Sequence, residues 1–172
     1  MPKVKFRAKL SILAAFRRLL PDRALKPKSP SQQSSVPEEE LKITLVALVL
    51  GERNRTLLSG LAEEHRWVIH FAGTSAEAWE ILKERKAHIF LLEREAPGTD
   101  WRGVIRKVVS GPRLVCAILI SDVTDGYLWN EVVMWGGHDV LVTPLREENV
   151  LRAIRLASLY WNSAMKSKAG VV

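Results

Sequence analysis

A chain of 172 residues, 47% hydrophobic and 26% charged, is long enough to bury its own core and to fold without staples. Its one cysteine, Cys116, excludes an intramolecular disulfide framework and fits a reducing compartment, so a cytoplasmic location is expected. The formal net charge of +7 is uneven: residues 1–40 hold nine Lys/Arg against four Asp/Glu, a net of +5, and the remainder only +2. A basic patch spread over the domain, the mark of many nucleic-acid binders, is therefore not expected.

Residues 1–20 come first. Phe6, Leu10, Leu13, Ala14 and Leu20 keep helical spacing among lysines and arginines, which predicts a basic amphipathic segment. Such a segment suits an anionic membrane, nucleic acid or the domain's own surface. Its apolar part, "LSILAAF", runs into Arg17-Arg18 without a small-residue cleavage site, so no signal peptide is expected. No apolar run approaches the roughly 20 residues needed to span a bilayer. Residues 21–40, with four prolines and four serines, read as a flexible linker.

From residue 41 to 165 strand-like and helix-like blocks alternate, the pattern of a parallel sheet covered on both faces. "ITLVALVL" is a central strand, followed by a helix with Leu57, Leu58, Leu61 and Ala62 on one face. "WVIHFA" is the second strand. The next helix opens with Thr74 and Glu77 in capping-box spacing and buries Ala78, Ile81 and Leu82. "HIFLLE" and "WRGVIRKVV" form the third strand and helix, "RLVCAILIS" and "YLWNEVVMW" the fourth pair, the latter stopped at Gly136-Gly137. "DVLVT" and "EENVLRAIRLASLYW" close the domain, the last helix burying Val150, Ile154 and Ala157, and residues 166–172 are a tail. The fold class is α/β: a doubly wound, five-stranded parallel sheet of flavodoxin-like (βα)5 type.

Three stretches carry a likeness. "LLEREAPGTDW" resembles a third-strand end where an Asp precedes a Pro-Gly-x-Asp-Gly loop, "AILISD" a fourth-strand end that supplies a hydroxyl, and "GGHDVLVTPL" a Gly-Ala-Asp-Asp-Tyr-Leu-Val-Lys-Pro-Phe segment. Together, at these intervals, they resemble the receiver domain of two-component response regulators, over essentially all of residues 42–161. The resemblance implies a phosphoacceptor Asp, an acid pair holding Mg²⁺, a Ser or Thr hydroxyl, a Lys before Pro and an aromatic switch residue.

The departures bear on chemistry. Glu93 aligns with the phosphoacceptor, and its extra methylene displaces the carboxylate from an attack geometry that tolerates little error. The acid pair falls on Leu50-Gly51 or on Gly51-Glu52, depending on register, so at most one acid survives. Ser121 matches the hydroxyl position, Thr143 replaces the Lys, and Val140 stands at the aromatic switch position. Mg²⁺ demands near-ideal octahedral oxygen geometry, so no cofactor is expected. Glu93 reads as the remnant of a phosphoacceptor, whose longer charged arm would imitate phospho-Asp and hold one signalling state, with Arg53 or Arg94 as candidate partners.

The remaining signals are weaker. The four histidines lack metal-ligand spacing, and "LVLGERNR" offers only Gly51 where a nucleotide site needs a glycine-rich loop. Asp100 and Glu95 read as loop charge, so no enzymatic activity is expected. Trp79 and Trp129 are read as packing and Trp101 as a cap over the pocket. Met134 on the fourth helix and Leu156, Leu159 and Tyr160 on the fifth form a candidate face for a protein partner or a second copy. The expectation is a stand-alone degenerate receiver acting as an interaction module. Its rivals are a phosphorylatable regulator with a non-standard site and a membrane- or nucleic-acid-associated protein acting through residues 1–20.

Overall fold

The apolar runs become five strands: β1 (Thr44–Leu48), β2 (Val68–Phe71), β3 (Ile89–Glu93), β4 (Cys116–Ser121) and β5 (Asp139–Val142). The computed structural model describes residues 42–123 and 125–169; the expectations for residues 1–20 and 21–40 lie outside them. All pairings are parallel, in the order β2-β1-β3-β4-β5, with Leu45 opposite Ile89 and Ile89 opposite Cys116. β3 and β4 are central and covered on both faces, which is why they read as continuous apolar runs.

Among the described residues five helices connect and follow the strands: α1 (Glu52–Glu64), α2 (Ser75–Glu84), α3 (Trp101–Val109), α4 (Gly126–Met134) and α5 (Glu147–Ala169). α1 and α5 pack on one face through Leu58, Leu61, Val150, Ile154 and Ala157. The other face takes α2, α3 and α4 through Ala78, Leu82, Ile105, Val108, Leu128 and Val132 around Phe90. Burying one such large aliphatic or aromatic side chain contributes roughly 1.5–3 kcal/mol. The doubly wound architecture is the one the alternation predicts.

Local chemistry sets the helix ends. The Asp100 carboxylate accepts from the N–H groups of Arg102 and Gly103, and Asp125 accepts from Leu128 at 2.7 Å. Thr74 Oγ1 accepts from Glu77 N–H, but the Glu77 carboxylate reaches back to Gly73 N–H rather than to the cap residue itself. After α4, Gly136 adopts φ of +92°, and a Cβ on Gly137 would meet Val132, so two consecutive glycines are what this stop requires. Two expectations are corrected. α5 continues to Ala169, past the boundary expected at 165, because the helix runs on after its buried stripe without a breaker. Trp101 is 5% exposed in the core under α3 and α4, with Arg102 over its ring, and is a packing residue rather than a lid.

Candidate functional site at the carboxyl edge of the sheet

Strand order reverses at β1, whose neighbours are β2 on one side and β3 on the other. In open α/β sheets the crevice beyond the strand ends at that reversal is where ligands bind. The strand ends and loops there are those of β1 (Leu50, Gly51), β3 (Glu93, Arg94, Glu95), β4 (Ser121, Asp122) and β5 (Thr143).

Glu93, half-buried at the last position of β3, turns toward the loop after β1. Its Oε2 accepts from the Leu50 N–H at 2.7 Å, and its Oε1 lies 3.7 Å from where a Cβ on Gly51 would stand. A carboxylate on a backbone amide is a charge-assisted hydrogen bond, stronger than a neutral one. The buried Asn54 borders the same spot, its Nδ2 3.6 Å from that Cβ position. The extra methylene of Glu is what lets the carboxylate reach across from β3 to the β1 loop.

Ser121 is fully buried and engaged elsewhere. Its Oγ accepts from the Val123 N–H at 3.1 Å and from Arg94 Nη1 at 3.4 Å. Glu93 and Ser121 are therefore served by different partners. Arg94 pairs with Glu95 at 3.8 Å and reaches Ser121, and among the described residues neither it nor Arg53 pairs with Glu93. Burial first, and the neighbouring Asp122 carboxylate second, hold Glu95 above the ordinary carboxylate range, with Arg94 opposing.

The other expected pocket residues divide. Gly51 belongs to the site as the residue beside the Glu93 carboxylate. Glu52 does not: it is the first residue of α1, exposed, and lines an open groove along that helix toward Glu147. Thr143 donates its backbone N–H to the Ser121 carbonyl at 2.9 Å and brings no cation to the strand ends, where the guanidinium on the Ser121 hydroxyl is that of Arg94. Val140 is half-buried and packs on the core under α2, α3 and α4. Asp100 is consumed by capping α3, so it makes no acid pair with Glu95.

Two contributors escaped the sequence reading. Asn54 shares the helical face of Leu58 and Leu61, and a polar residue on a buried stripe was the signal that could have found it. Arg55 donates to the Val49 carbonyl at 3.1 Å and stacks 4.3 Å from the Phe71 ring centre, pinning the β1 end from the other side. Among the described residues no cluster of three or more His, Cys, Asp or Glu could hold a metal ion, and no helix is long and apolar enough to cross a membrane.

The candidate partner face is partly present. Met134 is 74% exposed and Leu159 66%, with Leu156 also exposed, and α4 and α5 flank the edge strand β5. Tyr160 is corrected: it is half-buried against the α1/α5 core, its ring centre 5.4 Å from that of His138. Tyr127, at 75% exposure, is an apolar member of α4 that the sequence reading left out.

No family model and no curated protein matches the sequence. Solved structures do match. The signal receiver domain of an HD domain-containing protein from Pseudomonas fluorescens Pf-5 superposes with a TM-score of 0.64 at 19% identity, over 71% of this chain and 98% of that one. The chemotaxis protein CheY4 of Vibrio cholerae gives 0.61 at 14% identity, over 67% and 98%. The receiver domain of the Saccharomyces cerevisiae response regulator Ssk1, crystallised with the histidine phosphotransfer signalling protein Ypd1, gives 0.59 at 15% identity, over 66% and 86%. The chain thus carries the receiver-domain fold of two-component response regulators.

Proposed function

We propose that this domain is a pseudo-receiver: a protein-interaction module of two-component-type signalling in which the position of the phosphoacceptor is taken by Glu93 and phosphotransfer is lost. The observation that carries the reading is the Glu93 to Leu50 hydrogen bond. A carboxylate spent on anchoring the loop after β1 is a structural group, and the hydroxyl of Ser121 is already bonded to Arg94 and Val123. Thr143 at the position of the Lys removes the cation that would answer a phosphoryl group. With no charge change to transmit, the domain presents one constant surface.

That surface is the β5 edge between α4 and α5, where Met134, Leu156 and Leu159 offer apolar area to a protein partner or a second copy. The Ssk1 receiver in its complex with Ypd1 shows a receiver of this fold engaged with a partner protein. A titration of the full chain with Mg²⁺ and beryllofluoride, followed by amide NMR at Glu93, Ser121 and Thr143, tests the reading. Unchanged shifts are expected. Saturable shifts at those three residues overturn it and restore a phosphorylatable switch.

A further inference from the structure

We infer that the outer face of α3, with the adjoining end of α2, is a binding surface for nucleic acid. α3 carries Arg102, Arg106 and Lys107 and no acidic residue. Each of these cations lies over a tryptophan: Arg102 at 4.5 Å from the Trp101 ring centre, Arg106 at 5.5 Å from Trp135, and Lys107 at 4.8 Å from Trp79. Lys83 of α2 shares the Trp79 ring at 5.6 Å, which puts two cations on one indole, and Arg113 donates to the Lys83 carbonyl. Arg102 is held by Glu131 and Lys83 by Glu80, whereas Arg106, Lys107 and Arg113 are exposed and form no ion pair among the described residues.

Cations within about 6 Å of a ring centre are attracted to its face. Here the rings fix their positions at the surface, so less side-chain freedom is lost when an anion arrives. The chemistry of the occupant follows from the balance on this face, where Trp79 and Trp135 are half-buried beneath their cations while Arg106 and Lys107 are exposed. Leu50, Val123, Tyr127, Met134, Leu156, Leu159 and Met165, the exposed large apolar residues among those described, all lie off α2 and α3. A lipid surface needs apolar residues to insert, and a protein interface needs an apolar centre inside its polar rim. A phosphate backbone needs only the charges, each neutralised phosphate releasing counterions.

The test is fluorescence anisotropy of the full chain with a labelled DNA duplex of roughly 20 base pairs across about 50 to 200 mM salt. Because two phosphate contacts contribute about 0.9 each to the slope of log K against log salt, R106Q/K107Q is expected to flatten that slope by about 1.8 and to weaken binding several-fold. The charge-preserving R106K/K107R variant is expected to keep both, and R152Q/R155Q, which neutralises two exposed cations of α5 on the other sheet face, to change neither. Circular dichroism checks that each variant is folded. The inference is overturned by any of four results. The full chain fails to bind the duplex; R106Q/K107Q binds with unchanged affinity and slope, placing the activity in residues 1–40; R152Q/R155Q costs as much as R106Q/K107Q; or anionic phosphatidylglycerol vesicles compete the duplex away.

Discussion

Substituting Glu93 with Asp, Gln and Ala separates the length of the side chain from its charge. The wild-type carboxylate accepts the Leu50 N–H at 2.7 Å. Asp withdraws the oxygens by about one C–C bond, roughly 1.5 Å, which puts the amide beyond hydrogen-bond reach. A charge-assisted hydrogen bond contributes about 1.5–3 kcal/mol. Leu50 is 42% exposed, so water takes over part of that when the carboxylate leaves, and the expected loss for E93D and E93A is about 1 kcal/mol. E93Q keeps the length and a neutral acceptor and should lose about half as much. In urea unfolding the order is wild type, then E93Q, then E93D and E93A together. Amide exchange at Leu50 should quicken about fivefold in E93D, the local counterpart of that loss. If E93D unfolds at the wild-type midpoint, or E93Q is as damaging as E93A, the anchoring role is refuted.

Further expectations concern other parts of the molecule. Burial is the leading cause holding His70, His88 and His138 below their ordinary 6.5, with Arg85 adding to it at His70 and Asp139 opposing it at His138. The unfolded chain then binds protons that the native one refuses, so their contribution is complete above pH 6.5 and declines as pH falls below it. Glu95 acts with the opposite sign, its raised carboxyl favouring the native state below about 4.5 and losing that contribution as pH rises, but it is half exposed and screened. Urea midpoints should fall between pH 7.5 and 5.5, and less so in H88L; identical pH profiles for wild type and H88L would refute the assignment. Burial pushes the Cys116 thiol up to about 12, so native protein at pH 8 should resist thiol reagents that label one cysteine per chain in guanidinium. G137A places a methyl against Val132 and should cost about 1–3 kcal/mol. G60A, in the interior of α1 with open space around the new methyl, should stabilise by about 0.5–1 kcal/mol, and calorimetry of the two variants reads both signs.

The sheet was legible in the chain because a strand buried on both faces must be apolar throughout, as "ITLVALVL" and "CAILI" are, and because the helices between them repeat apolar residues at helical spacing. Capping followed the same logic at Thr74, whose hydroxyl receives the N–H three residues on, a contact fixed by local geometry. What tertiary structure alone decided is where side chains point at the strand ends. Residues 93 and 121 lie on adjacent strands, and which neighbour each chooses depends on the loops that arrive beside them. Glu93 takes the amide of a loop 43 residues earlier in sequence, while Arg94, a surface charge by composition, folds back onto Ser121. The basic face was hidden for the same reason. Arg106, Lys107 and Arg113 stand in a stretch without acids, but only the packing of α3 against α2 adds Lys83 and sets Lys83 and Lys107 on the ring of Trp79 and Arg106 on that of Trp135. Periodicity fixes which face of an element is buried, because burial depends on that element's own sequence; the partners gathered at a loop or surface depend on segments remote in the chain.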